Sequence, residues 1–167
     1  MPILSPDTLE FISRNADQTR RLGTRLGALL DGGAVVALHG DLGAGKTVLA
    51  QGIGVGWGAI APLLSPTFII MRCHTRPQDR QQLYHIDLYR LTSEAEIAGL
   101  GLEEMLGAPD AICLVEWPER HPALLPEEHI QVQLRWLDEY RRTLTFRATG
   151  VRNQALLERF RKELVGH

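Results

Sequence analysis

The chain has 167 residues, 44% of them hydrophobic and 23% charged, with a formal net charge of −2. That is enough chain for one domain with a substantial core, and the composition is that of an ordinary globular protein. The slight acidity argues against nonspecific clamping of nucleic acid, because such affinity rests mainly on neutralising phosphates. No DNA partner is expected, and any tie to RNA should be indirect. No apolar run approaches the roughly 20 residues that span a bilayer. The opening "MPILSPDTLEF" lacks the basic start and apolar core of a signal peptide. Cys73 and Cys113 show no CxxC or Cys/His metal spacing, so free thiols in a reducing cytosol are expected. These signals together predict a cytoplasmic protein with no membrane partner.

"DTLEFI", residues 7–12, alternates well enough for a short edge strand. Asn15 with Gln18 three residues on marks a helix start. That helix should run to about Leu30, with Leu22, Leu26 and Leu30 on one face. Gly23 and Gly27 lie beside this stripe, where they would let the helix sit close to a sheet. Asp31-Gly32-Gly33 ends it. "VVALH", 35–39, reads as a strand buried on both faces that enters a glycine-rich loop. The segment after Lys46 is helical by position but contains Gly52, Gly54, Gly56 and Gly58. Interior glycines cost roughly 0.5–1 kcal/mol each, so this helix is expected to be short and its end mobile.

"SPTFIIMRCHT" and "QQLYHIDLYR", joined by the polar "RPQDR", read as a turn and then a hairpin. Ser93 and Glu96 form a capping box that starts a helical stretch, interrupted near Gly99-Leu100-Gly101. "AICLVEW", 111–117, is a second run of the fully buried type. "HIQVQLRWL" and "RRTLTFRAT" alternate as antiparallel strands do, and "NQALLERFRKEL" closes the chain as an amphipathic helix. This order predicts one α/β domain over residues 1–167, a mixed parallel and antiparallel sheet flanked by helices.

Gly40-Asp41-Leu42-Gly43-Ala44-Gly45-Lys46-Thr47 fits G-x-x-x-x-G-K-[ST] at every position. Glycines let successive backbone N–H groups turn inward and cradle a β-phosphate. The helix that follows adds its positive N-terminal end. Lys46 would reach the β- and γ-oxygens, and the Thr47 hydroxyl would ligate Mg²⁺. From the chain's own composition, a chance match is on the order of one in several hundred. The buried strand before the loop and the helix after it make chance rarer still.

A Mg²⁺ partner should be a carboxylate at the C-terminal end of a buried strand. Glu116 follows the apolar run Ala111–Val115. A lone glutamate there would also mark a strand reaching solvent, and the phosphate loop tips the reading to metal. Asp87 is the second candidate. Alternation in "LYHIDLY" places His85, Asp87 and Tyr89 on one polar face. There Asp87 either orients water or a ligand, or is simply hydrogen-bonded within the sheet. His85 reads as a packing or hydrogen-bonding residue. In Ser65-Pro66-Thr67, Pro66 holds Ser65 extended. A hydroxyl here would report a γ-phosphate as switch segments do, or the triplet is a plain turn before a strand.

"GDLGAGKT", "SPTF", "YHIDLYRL" and "AICLVEWPER", in this order, resemble the bacterial TsaE family, the small P-loop ATPases of threonylcarbamoyladenosine synthesis in transfer RNA. The resemblance runs from about Thr19 to Pro126. It implies ATP phosphates on the loop from Gly40, Mg²⁺ held by Thr47 and Glu116, and catalytic roles for Lys46, Asp87 and Thr67. It also implies a place for Trp117 beside the nucleotide. Tyr89 and Arg90 match as well, without a stated role. The family's partners are TsaD and TsaB, which transfer the threonylcarbamoyl group to an adenosine beside the anticodon; tRNA is then met only through that complex. The glycine-rich "GIGVGWG" departs from the expected pattern.

Two other classes compete with this reading. A small-molecule or nucleoside kinase would need an arginine-bearing lid, for which Arg141 and Arg142 are the candidates, although they fall in a predicted strand. A nucleotide-dependent interaction module would bind without turnover. A GTPase fits less well, because no NKxD or DxxG motif is present.

Overall fold

The computed structural model describes residues 5–66 and 70–166. The strands are β1 (Thr8–Ser13), β2 (Val35–His39), β3 (Met71–Thr75), β4 (Gln82–Asp87), β5 (Ala111–Glu116), β6 (Ile130–Trp136) and β7 (Arg142–Ala148). The helices are α1 (Ala16–Leu29), α2 (Lys46–Trp57), α3 (Glu94–Ala98), α4 (Leu102–Met105) and α5 (Val151–Val165). One sheet joins the strands in the order β1-β7-β6-β2-β5-β4-β3. Its centre, β6-β2-β5-β4, is parallel, while β3, β7 and β1 pair antiparallel to their neighbours. The expected mixed α/β sheet is therefore present.

The central strands follow from their sequences. Val35–Leu38 and all of β5 are buried, as continuous apolar runs must be when both faces of a parallel sheet are covered. One face packs on α1, α2 and α5 through Leu26, Leu49, Ile53, Leu114 and Phe160. The other packs through Ile86, Leu88, Ile97, Leu102 and Val115 beneath α3 and α4. Among the described residues, no helix is long and apolar enough to cross a membrane. Both cysteines are free, and burial pushes the Cys113 thiol up to about 12.

Local signals set the helix ends. The Asn15 side chain accepts from Gln18 N at 2.8 Å, and Gln18 in return accepts from Arg14 N at 2.7 Å. Ser93 Oγ accepts from Glu96 N at 3.2 Å, as the capping box predicts. The interruption near Gly101 is a positive-φ glycine between α3 and α4.

Two expectations about α1 and α2 are corrected. Helix α2 is a full 12 residues, not a short one, and ends only at the left-handed Gly58. Gly23 and Gly27 lie against α2 rather than the sheet. A Cβ at Gly27 would sit 2.1 Å from the Ile53 carbonyl oxygen, and one at Gly56 would sit 1.9 Å from that of Thr24. Gly52 meets Arg20 in the same way. The two helices touch backbone to backbone. Close packing offsets the propensity cost that made the helix look weak.

Candidate phosphate-binding site

β2 delivers the chain to the glycine loop, and α2 begins at Lys46. Gly40, Gly43 and Gly45 have φ of 153°, 82° and 105°. At Gly43 and Gly45 these are left-handed values that an L side chain resists, so the loop's path requires glycine at both. Ala44 turns inward and is fully buried, while Asp41, Leu42 and Gly43 form the exposed rim.

Parallel pairing brings the carboxylates to this loop. Asp87 and Glu116 are direct register partners at the C-terminal ends of β4 and β5, and Glu116 is also paired with Leu38 of β2. A cleft of about 220 Å³ is lined by Leu42, Gly43, Gly45, Lys46, Thr47, Val48, Ser65, Asp87, Glu116 and Trp117. The predicted residues thus converge, with Gly40 and Ala44 shaping the loop behind the lining and Asp41 on its exposed rim. Thr67 lies outside the described residues. Among those described, no group of three or more His, Cys, Asp and Glu side chains could hold a metal by itself. A Mg²⁺ site needs no such cage, since the ion keeps several waters and takes one or two carboxylates plus phosphate. The Thr47 hydroxyl with the Glu116 and Asp87 carboxylates is a hard-oxygen donor set of that kind.

The face that alternation gives to His85 and Asp87 is a buried one. Leu83, His85 and Asp87 are all buried, and they face α2 together with Leu114 and Glu116. Tyr89 lies beyond the strand in a turn, where its backbone N–H donates to Asp87 Oδ1 at 2.8 Å. His85 Nε2 is 2.6 Å from Glu116 Oε2, with both side chains buried. A carboxylate only accepts, so the histidine donates from Nε2. This contact holds Glu116 in place beside the loop. Sequence reading gave His85 its hydrogen bond but not its partner, because strand order cannot be read from alternation.

Lys46 is buried, and its ammonium donates to Gly40 O at 2.6 Å. The same ammonium lies 3.4 Å from the centroid of the Trp117 ring, a cation–π contact. Burial lowers the Lys46 pKa; Glu116, Glu119, Asp87 and Asp41 act in the opposite direction. Trp117 itself sits at φ 58°, ψ 45° immediately before Pro118. That region is sparsely populated for a bulky residue and is disfavoured further by a following proline. The unusual backbone turns the indole back over Lys46, where Tyr89 packs against it at 4.9 Å. Backbone strain of this sort gathers at ligand sites.

The family model described as "Threonylcarbamoyl adenosine biosynthesis protein TsaE" matches residues 13–144, wider at both ends than the motifs in the sequence. A TsaE protein of Treponema pallidum is 38% identical over 137 residues, covering 82% of this chain and 98% of its own length. One from Bacillus subtilis is 35% identical over 150 residues, covering 90% and 92%. The crystal structure of Bacillus subtilis YdiB superposes with a TM-score of 0.76 at 29% identity, covering 93% of this chain and 95% of that one.

Proposed function

The chain belongs to the TsaE family of threonylcarbamoyl adenosine biosynthesis proteins, and on that premise we propose that it is a Mg²⁺-dependent ATPase acting on a TsaD/TsaB pair. The carrying observation is the convergence of Lys46, Thr47, Asp87 and Glu116 on one cleft at the glycine loop. In this reading the backbone N–H groups of the loop and the end of α2 bind the β-phosphate. Lys46 exchanges its bond to Gly40 O for phosphate oxygens, and Thr47 and Glu116 hold Mg²⁺. Bound Mg²⁺ neutralises charge on the β- and γ-phosphates. Glu116 is kept in position by His85. Asp87 orients the attacking water and accepts its hydrogen bond, and Thr67 contributes to turnover. The whole chain, 1–167, acts as one P-loop domain working in the cytoplasm.

A kinase reading is less well supported. The Arg141 guanidinium donates to Asp138 Oδ2 at 2.7 Å, and Arg142 donates to the carbonyls of Asp138, Glu139 and Arg141. Both candidate lid arginines are tied into the β6–β7 hairpin. Nothing in that arrangement resembles an arm waiting for an acceptor.

Phosphate release measured with and without purified TsaD and TsaB tests the proposal. Stabilisation supplied in trans reaches about 10³–10⁵ in related NTPases, so slow hydrolysis alone and clear stimulation by the pair are expected. Asp87→Asn keeps the shape and should cut the stimulated rate at least about tenfold, roughly 1.4 kcal/mol in barrier. Rapid transfer to a nucleoside or sugar, with no response to the pair, would establish the kinase instead.

A further inference from the structure

We propose that the exposed indole of Trp136, backed by Arg142, is the platform on which the base of the bound nucleotide stacks. This rests on the nucleotide-binding reading above and adds where the base lies. The parallel strands β5 and β6 flank β2 on opposite sides. Asp87 and Glu116 stand on the β5 side, so the metal-bearing end of a triphosphate belongs there. The sugar and base must then leave across the loop on the β6 side.

Trp136 is the last residue of β6 and lies against the loop: its Cζ2 is 3.4 Å from where a Gly43 side chain would begin. Trp136 is nonetheless 49% exposed, and Leu42 of the loop is 85% exposed. The cross-strand register partner of Trp136 is Arg142, whose guanidinium carbon is 3.5 Å from the ring centroid. Nη1 of Arg142, shared among three hairpin carbonyls, keeps that guanidinium against the ring. A large aromatic is therefore backed on one side and half open at the rim of a phosphate cradle. Bases stack on such rings with little regard to identity, since every base has a π-face. The second indole nearby, Trp117, is already engaged by Lys46 and Tyr89 over the phosphate end.

Calorimetric titration of the full chain with Mg-ATP, Mg-GTP and Mg-tripolyphosphate separates base from phosphate. Trp136→Ala should weaken both nucleotides by roughly 5- to 150-fold, the range for loss of a base–aromatic stack. Tripolyphosphate, which has no base, should bind as to wild type. Trp136→Phe should restore most of the nucleotide affinity. Unchanged nucleotide affinity in Trp136→Ala would overturn the proposal. So would equal weakening of all three ligands, which would mean a disturbed loop. Wild-type protein that bound tripolyphosphate and nucleotides equally well would overturn the base platform while leaving the phosphate site standing. Binding of none of them would remove both.

Discussion

Lys46→Ala should lower Mg-ATP turnover by about 10²–10³-fold, the loss typical of deleting one preorganised charge-stabilising donor. The same variant should melt no lower than wild type. Both expectations come from one feature. The ammonium is buried and its pKa is lowered chiefly by desolvation, so the folded state bears a cost for keeping it charged. Its partners, one carbonyl oxygen, one aromatic face and the nearby carboxylates of Glu116, Glu119, Asp87 and Asp41, return only part of that cost. Phosphate oxygens would be far better partners. Phosphate release and a thermal melt on the same preparation check the pair of claims. Wild-type turnover in the variant would remove Lys46 from the chemistry, and a large drop in melting temperature would make it structural.

Gly27→Ala and Gly56→Ala should each destabilise the protein by about 1–3 kcal/mol, the usual range for overpacking. Alanine favours a helix by roughly 0.5–1 kcal/mol over glycine, so propensity alone predicts the opposite sign. The clash decides it. Each added methyl would lie about 2 Å from a backbone carbonyl oxygen of the facing helix, and backbone cannot swing aside as a side chain can. For a chain of this size, about 2–4 °C of melting temperature goes with each kcal/mol. Gly99→Ala is the control, because its nearest neighbours are at an ordinary 3.6 Å. Calorimetric melts should separate the two interface variants clearly from the control. The double variant should not be additive, since both sites open the same contact.

Much of the fold was legible because its signals are local. The caps at Asn15 and Ser93, the buried runs of β2 and β5, and the β3–β4 and β6–β7 hairpins all follow from short stretches. What depended on a partner was not legible. The glycines of α2 counted as a weakness until α1 was seen to carry matching ones. That the face of Asp87 is covered was not legible, because alternation reports side-chain direction and not what lies over it. At the site, the loop announced Lys46 and Thr47 by motif, and Glu116 by its place at the end of a buried run. The His85–Glu116 contact joins residues 31 apart through parallel pairing, which no local pattern encodes. Trp136 gave no motif at all; an aromatic ending a strand is commonplace until a glycine loop is found beside it.

Glu116→Gln tests the metal site most directly, because the amide keeps the shape and can still accept from His85. ATP affinity should be measured by calorimetry in Mg²⁺ and in EDTA, for wild type and variant. In wild type, Mg²⁺ should strengthen binding by at least about tenfold, or 1.4 kcal/mol. In Glu116→Gln that advantage should largely disappear, while affinity in EDTA stays at the wild-type level or rises. A variant that kept the full Mg²⁺ advantage would contradict the assignment and move the metal to Asp87.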